Sequence, residues 1–457
     1  MITFHDVQDL TTGSLTGHLL KTTSYMLVSM VFQTLYVLID LYWVGRLGTQ
    51  AIAAVAISGN LMFVVLAATQ MLGVGTTTLV AHATGRRDKR QANVIFNQAQ
   101  VLSTCVGVLF LVLGMAVRAP YADALSADTT TRALAADYLL WFTPALALQF
   151  GLIAMGAALR GTGNFRPGMI VQTATVILNI VLAPVLIFGW GTGVALGVAG
   201  AALSTLVAVA VGVVWMTFYF APADSYLKFT LGDWKPRFTL WGDMLKIGLP
   251  SGAEFALMAV YLMLVYVISR PFGAAAQAGF GIGMRILQAC FLPVVALGFA
   301  VAPVAGQNFG ARQASRVRET FRTAAVLAGG AMLVLAGVTW LAAGVMMRIF
   351  SSDPQVIVVG EEYLHIVAFN FVASGVIFVS SSMFQAMGNT MPSLITSAAL
   401  IAIVAVPVLL LAPVPGFTLR WVWYISVAAV LVQLTMNLVL LRREFRLRLN
   451  FERAAAA

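Results

Sequence analysis

Residues 19–44 read LLKTTSYMLVSMVFQTLYVLIDLYWV, and residues 245–269 read LKIGLPSGAEFALMAVYLMLVYVIS. As helices rising 1.5 Å per residue, both cross a hydrocarbon core of about 30 Å. Laid over each other at a shift of 225, Leu20-Lys21 falls on Leu245-Lys246 and Tyr36 on Tyr261. Without a gap, the same shift pairs Gly48 with Gly273, Gly73 with Gly298, Arg87 with Arg312, Tyr138 with Tyr363, and Gly163-Asn164 with Gly388-Asn389. One fixed offset over nearly the whole chain means an internal duplication.

Twelve such spans lie between residues 19 and 441, six in each half. Because six is even, the second half re-enters the bilayer in the orientation of the first. The halves are therefore parallel repeats about an axis along the membrane normal. The predicted fold is an all-α polytopic membrane protein with twelve transmembrane helices in two pseudo-symmetric six-helix bundles. Residues 1–222 are expected to form the first lobe, 223–244 a cytoplasmic linker and 245–457 the second lobe. The boundary follows the longest polar stretch between spans, APADSYLKFTLGDWKPRFTLWG over 221–242.

Composition agrees. Of 457 residues, 60% are hydrophobic and 10% charged, where soluble chains carry roughly 25% charged residues. No water-soluble surface can be built from that, which excludes a soluble enzyme, a disordered chain and a disulfide scaffold. Cys105 and Cys290 sit in apolar runs and read as small hydrophobes. Placing the N-terminus in the cytoplasm puts twenty of the 27 Lys and Arg on that side and six on the other, with Arg285 inside a span. This bias predicts a multi-pass protein of a bacterial-type inner (plasma) membrane with both termini cytoplasmic. It also accounts for the net charge of +10 without a nucleic-acid partner. The opening MITFHDVQDLTTGSLTGH lacks a basic n-region, so no removable leader is expected.

Two parallel bundles that rock against each other expose the cleft between them to either side in turn, so transport by alternating access is the first expectation. A membrane enzyme would need a catalytic constellation, and His5, His18, His82 and His365 are scattered without metal-ligand spacing. Among seventeen acidic residues only Asp40 and Glu254 lie deep in apolar stretches, where an ionised carboxylate is costly and marks a cavity, a partner or a coupling ion. Ser29, Gln33, Tyr36 and Asp40 follow at spacings of 4, 3 and 4 and share one helix face. Glu254, Met258 and Tyr261 repeat the spacing, but Val265 stands where Asp40 does in the first half. The two acids are therefore about 16 Å apart in equivalent height. Tyr138 and Asn179 are expected at the level of Asp40, with Pro184 bending the helix beyond Asn179. A carboxylate, a phenol and an amide can hold a proton, or can give oxygen ligands to sodium at Asp40 and Asn179. Arg285, about 13 Å deep in the eighth span, needs a countercharge. Glu254 is the candidate, either as its structural partner or as a second functional acid in the cleft.

Further motifs carry a resemblance. Asp40 is followed by Val44-Gly45-Arg46-Leu47-Gly48, the eighth span ends in Gly306-Gln307-Asn308-Phe309-Gly310-Ala311, and Arg160-Gly161-Thr162-Gly163-Asn164 is echoed by Gln385-Ala386-Met387-Gly388-Asn389. With the duplication, these make the chain resemble the multidrug and toxic compound extrusion (MATE) transporters over nearly its whole length, closest to the DinF-like branch. The resemblance implies a monomeric secondary antiporter, not an enzyme. It would need no cofactor and would export organic, typically cationic amphipathic compounds in exchange for protons or sodium. It carries the coupling acid onto Asp40, with Tyr36, Tyr138 and Asn179 around it. Gln33, Glu254, Met258, Tyr261, Arg285 and Asn370 are then expected to line the cleft. Two departures favour protons over a caged sodium ion: Ala183 stands where that branch often has an acid, and the tenth span offers only Asn370 and serines. A lipid-linked precursor or polysaccharide flippase of the same superfamily would want several cations in its cleft, and Arg285 alone is placed there.

Overall fold

Without water to satisfy it, a backbone in lipid must close its hydrogen bonds within each span, so apolar runs become helices. A computed structural model of the chain describes residues 7–191, 193–222 and 224–451. The expectations about a leader, the linker's first residue and the extreme termini fall wholly or partly outside the described residues.

The first half contributes α1 (Leu15–Gly45), α2 (Thr49–Gly85), α3 (Lys89–Leu125), α4 (Thr129–Gly161), α5 (Arg166–Phe188) and α6 (Gly197–Tyr219). The second contributes α7 (Phe238–Ser269), α8 (Ala274–Gly310), α9 (Ala314–Phe350), α10 (Pro354–Val367), α11 (Phe371–Ala386), α12 (Met391–Leu411) and α13 (Leu419–Arg448). A 3₁₀ turn at Ala368–Asn370 joins α10 to α11, and the two make one span, giving twelve long apolar helices among the described residues. Several outrun the apolar windows that announce them. α3 starts on Lys89 and α9 on Ala314, because a helix continues through polar sequence until a stop signal rather than ending at the bilayer.

Those stop signals show the duplication in the backbone. Two residues beyond the ends of α2 and α8 stands an arginine with positive φ, Arg87 at 59° and Arg312 at 58°. At each end the same two hydrogen bonds close the turn, Arg87 N to Thr84 O with Asp88 N to Ala83 O, and Arg312 N to Phe309 O with Gln313 N to Asn308 O. Two residues beyond the ends of α4 and α11 stand Gly163 at 80° and Gly388 at 73°, where glycine meets the left-handed conformation without strain.

The chain divides into two compact units, Met1–Asp9 with Tyr25–Gly248, and Leu10–Ser24 with Leu249–Ala457. The divisions fall inside α1 and α7, so each unit includes the first turns of the helix that opens the other half. In the first unit α4 packs against α2, α3 and α6, and the start of α7 lies against α2. A Cβ on Gly75 or Gly248 would collide with the carbonyl of Met244 or Met71. The preceding linker is held by α3: Asn97 accepts from Thr230 N and Trp234 Nε1 and donates to Lys228 O, while Gln98 receives Arg237 N. In the second unit α8, α10 and α11 form the centre, and Leu10 is held by the Gln307 and Asn308 side chains. Large apolar side chains stand fully outward in both units, among them Phe218, Leu333 and Leu341. That is the arrangement expected where the surrounding medium is lipid.

Candidate functional site

In the first unit, the second half of α1 sets its polar stripe against α5 and α6. Gln33, Tyr36 and Asp40 share one face, and the first two each meet a neighbouring helix. Gln33 Oε1 accepts from Gln172 Nε2 of α5 at 3.1 Å. Tyr36 Oη lies 3.1 Å from Thr205 Oγ1 of α6. Asp40 follows one turn later. Asn179 of α5 donates from Nδ2 to Thr205 Oγ1 at 3.2 Å and to Ser204 Oγ at 3.3 Å. Because Thr205 directs its own proton to Ala201 O, it accepts from both Asn179 and Tyr36. One hydroxyl on α6 therefore ties α1 to α5.

Asp40 Oδ1 is buried and has no hydrogen-bond partner. Tyr138 of α4, 3% exposed, packs its ring on Phe142 at 4.8 Å between centroids and lies within electrostatic reach of Asp40 and Tyr36. Beyond Asp40, Trp43 closes the end of α1 in an aromatic cluster with Phe188 and Trp190 at 6.0 and 5.6 Å. A carboxylate with an orphaned oxygen inside an apolar bundle is unstable as it stands, and a proton or a cation relieves it.

The structure thus gathers Gln33, Tyr36, Asp40, Tyr138 and Asn179 in one place. Thr205 and Ser204 belong to the network of Tyr36 and Asn179, Gln172 pairs with Gln33, and all three are absent from the sequence reading. Serine and threonine in an apolar helix can satisfy themselves on the backbone one turn back, so they announce nothing. Here Ser29 does only that, donating to Tyr25 O at 3.1 Å.

The second unit keeps the tyrosines and a hydroxyl partner but loses the acid and the amide. Tyr261 Oη meets Ser426 Oγ at 3.2 Å, and Tyr363 Oη donates to Met284 Sδ at 2.9 Å. At the 225 shift Val265 and Val404 stand in place of Asp40 and Asn179, both buried, while Ser426 takes the part of Thr205 as the tyrosine's partner. The combination of carboxylate and amide therefore occurs in the first half alone.

Glu254 and Arg285 do not pair: no ion pair joins them among the described residues. Glu254 instead has Ser393 as its hydrogen-bonding neighbour, which is joined to Ser381 at 2.6 Å, and its Oε1 is buried without a partner. Arg285 is exposed on α8. Met258 is also exposed. Asn370 is buried at the 3₁₀ turn with Oδ1 unpartnered. These groups do not join a single cluster as Asp40 and its neighbours do. No group of three or more His, Cys, Asp or Glu fit for a metal occurs among the described residues.

Comparison with known proteins agrees with this architecture. Over 368 residues, 80% of each chain, the sequence is 26% identical to the multidrug export protein MepA of Staphylococcus haemolyticus. It is also 26% identical to the probable multidrug resistance protein YpnP of Bacillus subtilis, over 83% of this chain and 86% of that one. A solved multidrug resistance MATE family transporter, in an outward-facing conformation, superposes with a TM-score of 0.88 at 24% identity, over 96% of this chain and 98% of that one. The MatE family model matches residues 26–185 and 250–411, well over half of the sequence, and the chain belongs to this family of membrane transporters.

Proposed function

We propose that this transporter exports lipophilic organic cations, by alternating access, in exchange for protons carried by Asp40. The observation that supports this most is the orphaned Asp40 oxygen beside a Tyr36–Thr205–Asn179 network, where the positions of Asp40 and Asn179 are valines in the other half. A single carboxylate can serve a proton or a cation, but not both. At 4 Å and an effective dielectric of about 20, the attraction between unit charges is about 4 kcal/mol. Protonating Asp40 from the acidic side removes that attraction and frees the cation, and losing the proton on the other side restores it. The names of the MepA and YpnP relatives fit a multidrug substrate range. Tyr36, Tyr138 and Thr205 fix the carboxylate and its surroundings, and Glu254 receives cations in the second unit.

Sodium is the second reading. Asn179 directs its amide nitrogen to Ser204 and Thr205, which leaves its oxygen for an ion shared with Asp40. Ethidium flux in proteoliposomes separates the two. Flux driven by a pH gradient alone carries the proton reading, flux that requires a sodium gradient replaces it, and flux under neither overturns cation export and returns weight to a lipid-linked precursor flippase. The expectations of a monomer with cytoplasmic termini belong to the same proposal.

A further inference from the structure

In the second unit the starts of α9 and the end of α13 form an unusual surface. Residues 311–322 and 442–448 carry eight arginines, two glutamates and no lysine. Two of the arginines are committed. Arg316 holds Asn308 and Gly13 O, and Arg448 holds Glu444 and Met387 O. The other six, Arg312, Arg318, Arg322, Arg442, Arg443 and Arg446, are exposed and have no ion pair or side-chain hydrogen bond among the described residues.

Their placement is ordered. α11 packs against both α9 and α13, and the two outer helices meet at their ends through the rings of Phe321 and Phe445, 6.1 Å apart. Arg318 and Arg322 flank the first ring at helical spacing, and Arg442 and Arg446 flank the second. Below each pair runs an outward apolar stripe. Arg322 stands above Val326 and Leu333, 68% and 65% exposed, with Gly330 and Gly337 open between and beyond them; Arg442 stands one turn from Val439, 58% exposed. Cationic forks at the head and apolar stripes beneath match an anionic phospholipid, phosphate above and acyl chains below.

The general excess of positive charge on one side of a membrane protein does not explain this surface. At the corresponding end of the first unit, Arg87 pairs with Asp9 at 3.6 Å, Arg237 pairs with Asp233 at 2.8 Å, and Lys89 lies 5.8 Å from the Tyr226 ring centroid. Its charge is partly neutralised and split between lysine and arginine.

We propose that the α9–α13 end of the second unit is a binding site for the headgroup of an anionic phospholipid, whose phosphate is held by Arg318 and Arg322 on one side and Arg442 and Arg446 on the other. The test is a titration of phosphatidylglycerol, with phosphatidylcholine for comparison, into delipidated protein in neutral detergent, with bound lipid counted by native mass spectrometry. The wild type should bind phosphatidylglycerol in preference to phosphatidylcholine. Replacing Arg318 and Arg322, or Arg442 and Arg446, by Gln should weaken binding about 30-fold per pair, at roughly 1 kcal/mol per arginine near the headgroups. All four lie on the exposed surface, so the variants should elute as monodisperse protein. Replacing Arg86 and Arg90 of the first unit by Gln removes the same charge elsewhere and should leave binding unchanged. Equal loss in that control would reduce the effect to net charge and overturn the site, as would wild-type binding in both α9–α13 variants or no preference between the two lipids. Transport is not read here, so the result is independent of the coupling ion.

Discussion

Replacing Thr205 by Val tests whether the network around Asp40 is a working unit. In the wild type the Thr205 hydroxyl accepts from Tyr36 at 3.1 Å and Asn179 at 3.2 Å and donates to Ala201 O at 3.2 Å. The losses are unequal. Ala201 O keeps Ser204 Oγ at 2.7 Å and Asn179 keeps Ser204 at 3.3 Å, while Tyr36 Oη has no other hydrogen-bond partner among the described residues. An orphaned buried hydroxyl costs about 1–3 kcal/mol, and hydrogen bonds between membrane helices average about 0.6 with a maximum near 1.7. The expected loss is therefore about 1–2 kcal/mol, read as a lowered melting temperature in detergent. If the same energy holds Tyr36 one turn before Asp40 during exchange, ethidium flux falls roughly 5- to 30-fold. Thr205→Ser keeps the hydroxyl and should behave as wild type. A Thr205→Val protein with unchanged stability and flux would refute the reasoning.

Other outcomes follow from the same geometry. Gly248→Ala drives a Cβ into the Met71 carbonyl and should lower stability by about 1–3 kcal/mol; normal thermal stability would mean that α2 and the start of α7 are not closely packed. Arg285→Gln should change stability by less than about 0.5 kcal/mol, because an exposed arginine without an ion pair holds nothing together; a large loss would reinstate the pairing with Glu254. Ahead of α4, the Thr131 hydroxyl and backbone N–H donate to Asp128 and hold its carboxyl below the ordinary range. Its contribution is therefore full above the unfolded value of about 3.9 and is lost as pH falls through the lower folded one. Amide exchange in the first turn of α4 should speed up only there, and the same acid sensitivity in Asp128→Asn would contradict it.

The duplication was legible because it fixes whole elements: the left-handed turns at Arg87 and Arg312, and at Gly163 and Gly388, fall where the 225 shift puts them. Helical spacing brought Gln33, Tyr36 and Asp40 to one face correctly, since that depends only on α1. What crosses between helices was less visible. Thr205 is silent in sequence because a hydroxyl in a helix can satisfy itself. The pairing of Glu254 with Arg285 failed because charge balance gives no information on which face of α7 or α8 each residue takes, and Ser393 of α12 was nearer. The 3₁₀ break at Ala368–Asn370 has neither proline nor glycine to announce it.

The most direct test of the central claim is proton release in weakly buffered detergent solution when tetraphenylphosphonium is added to wild-type and Asp40→Asn protein, alongside a binding isotherm for each. If Asp40 exchanges a proton for the cation, wild type releases up to about one proton per cation bound, with apparent affinity falling as pH is lowered, and Asp40→Asn releases none. Equal release and equal pH dependence in the Asn variant would place the exchanging group elsewhere and contradict the account.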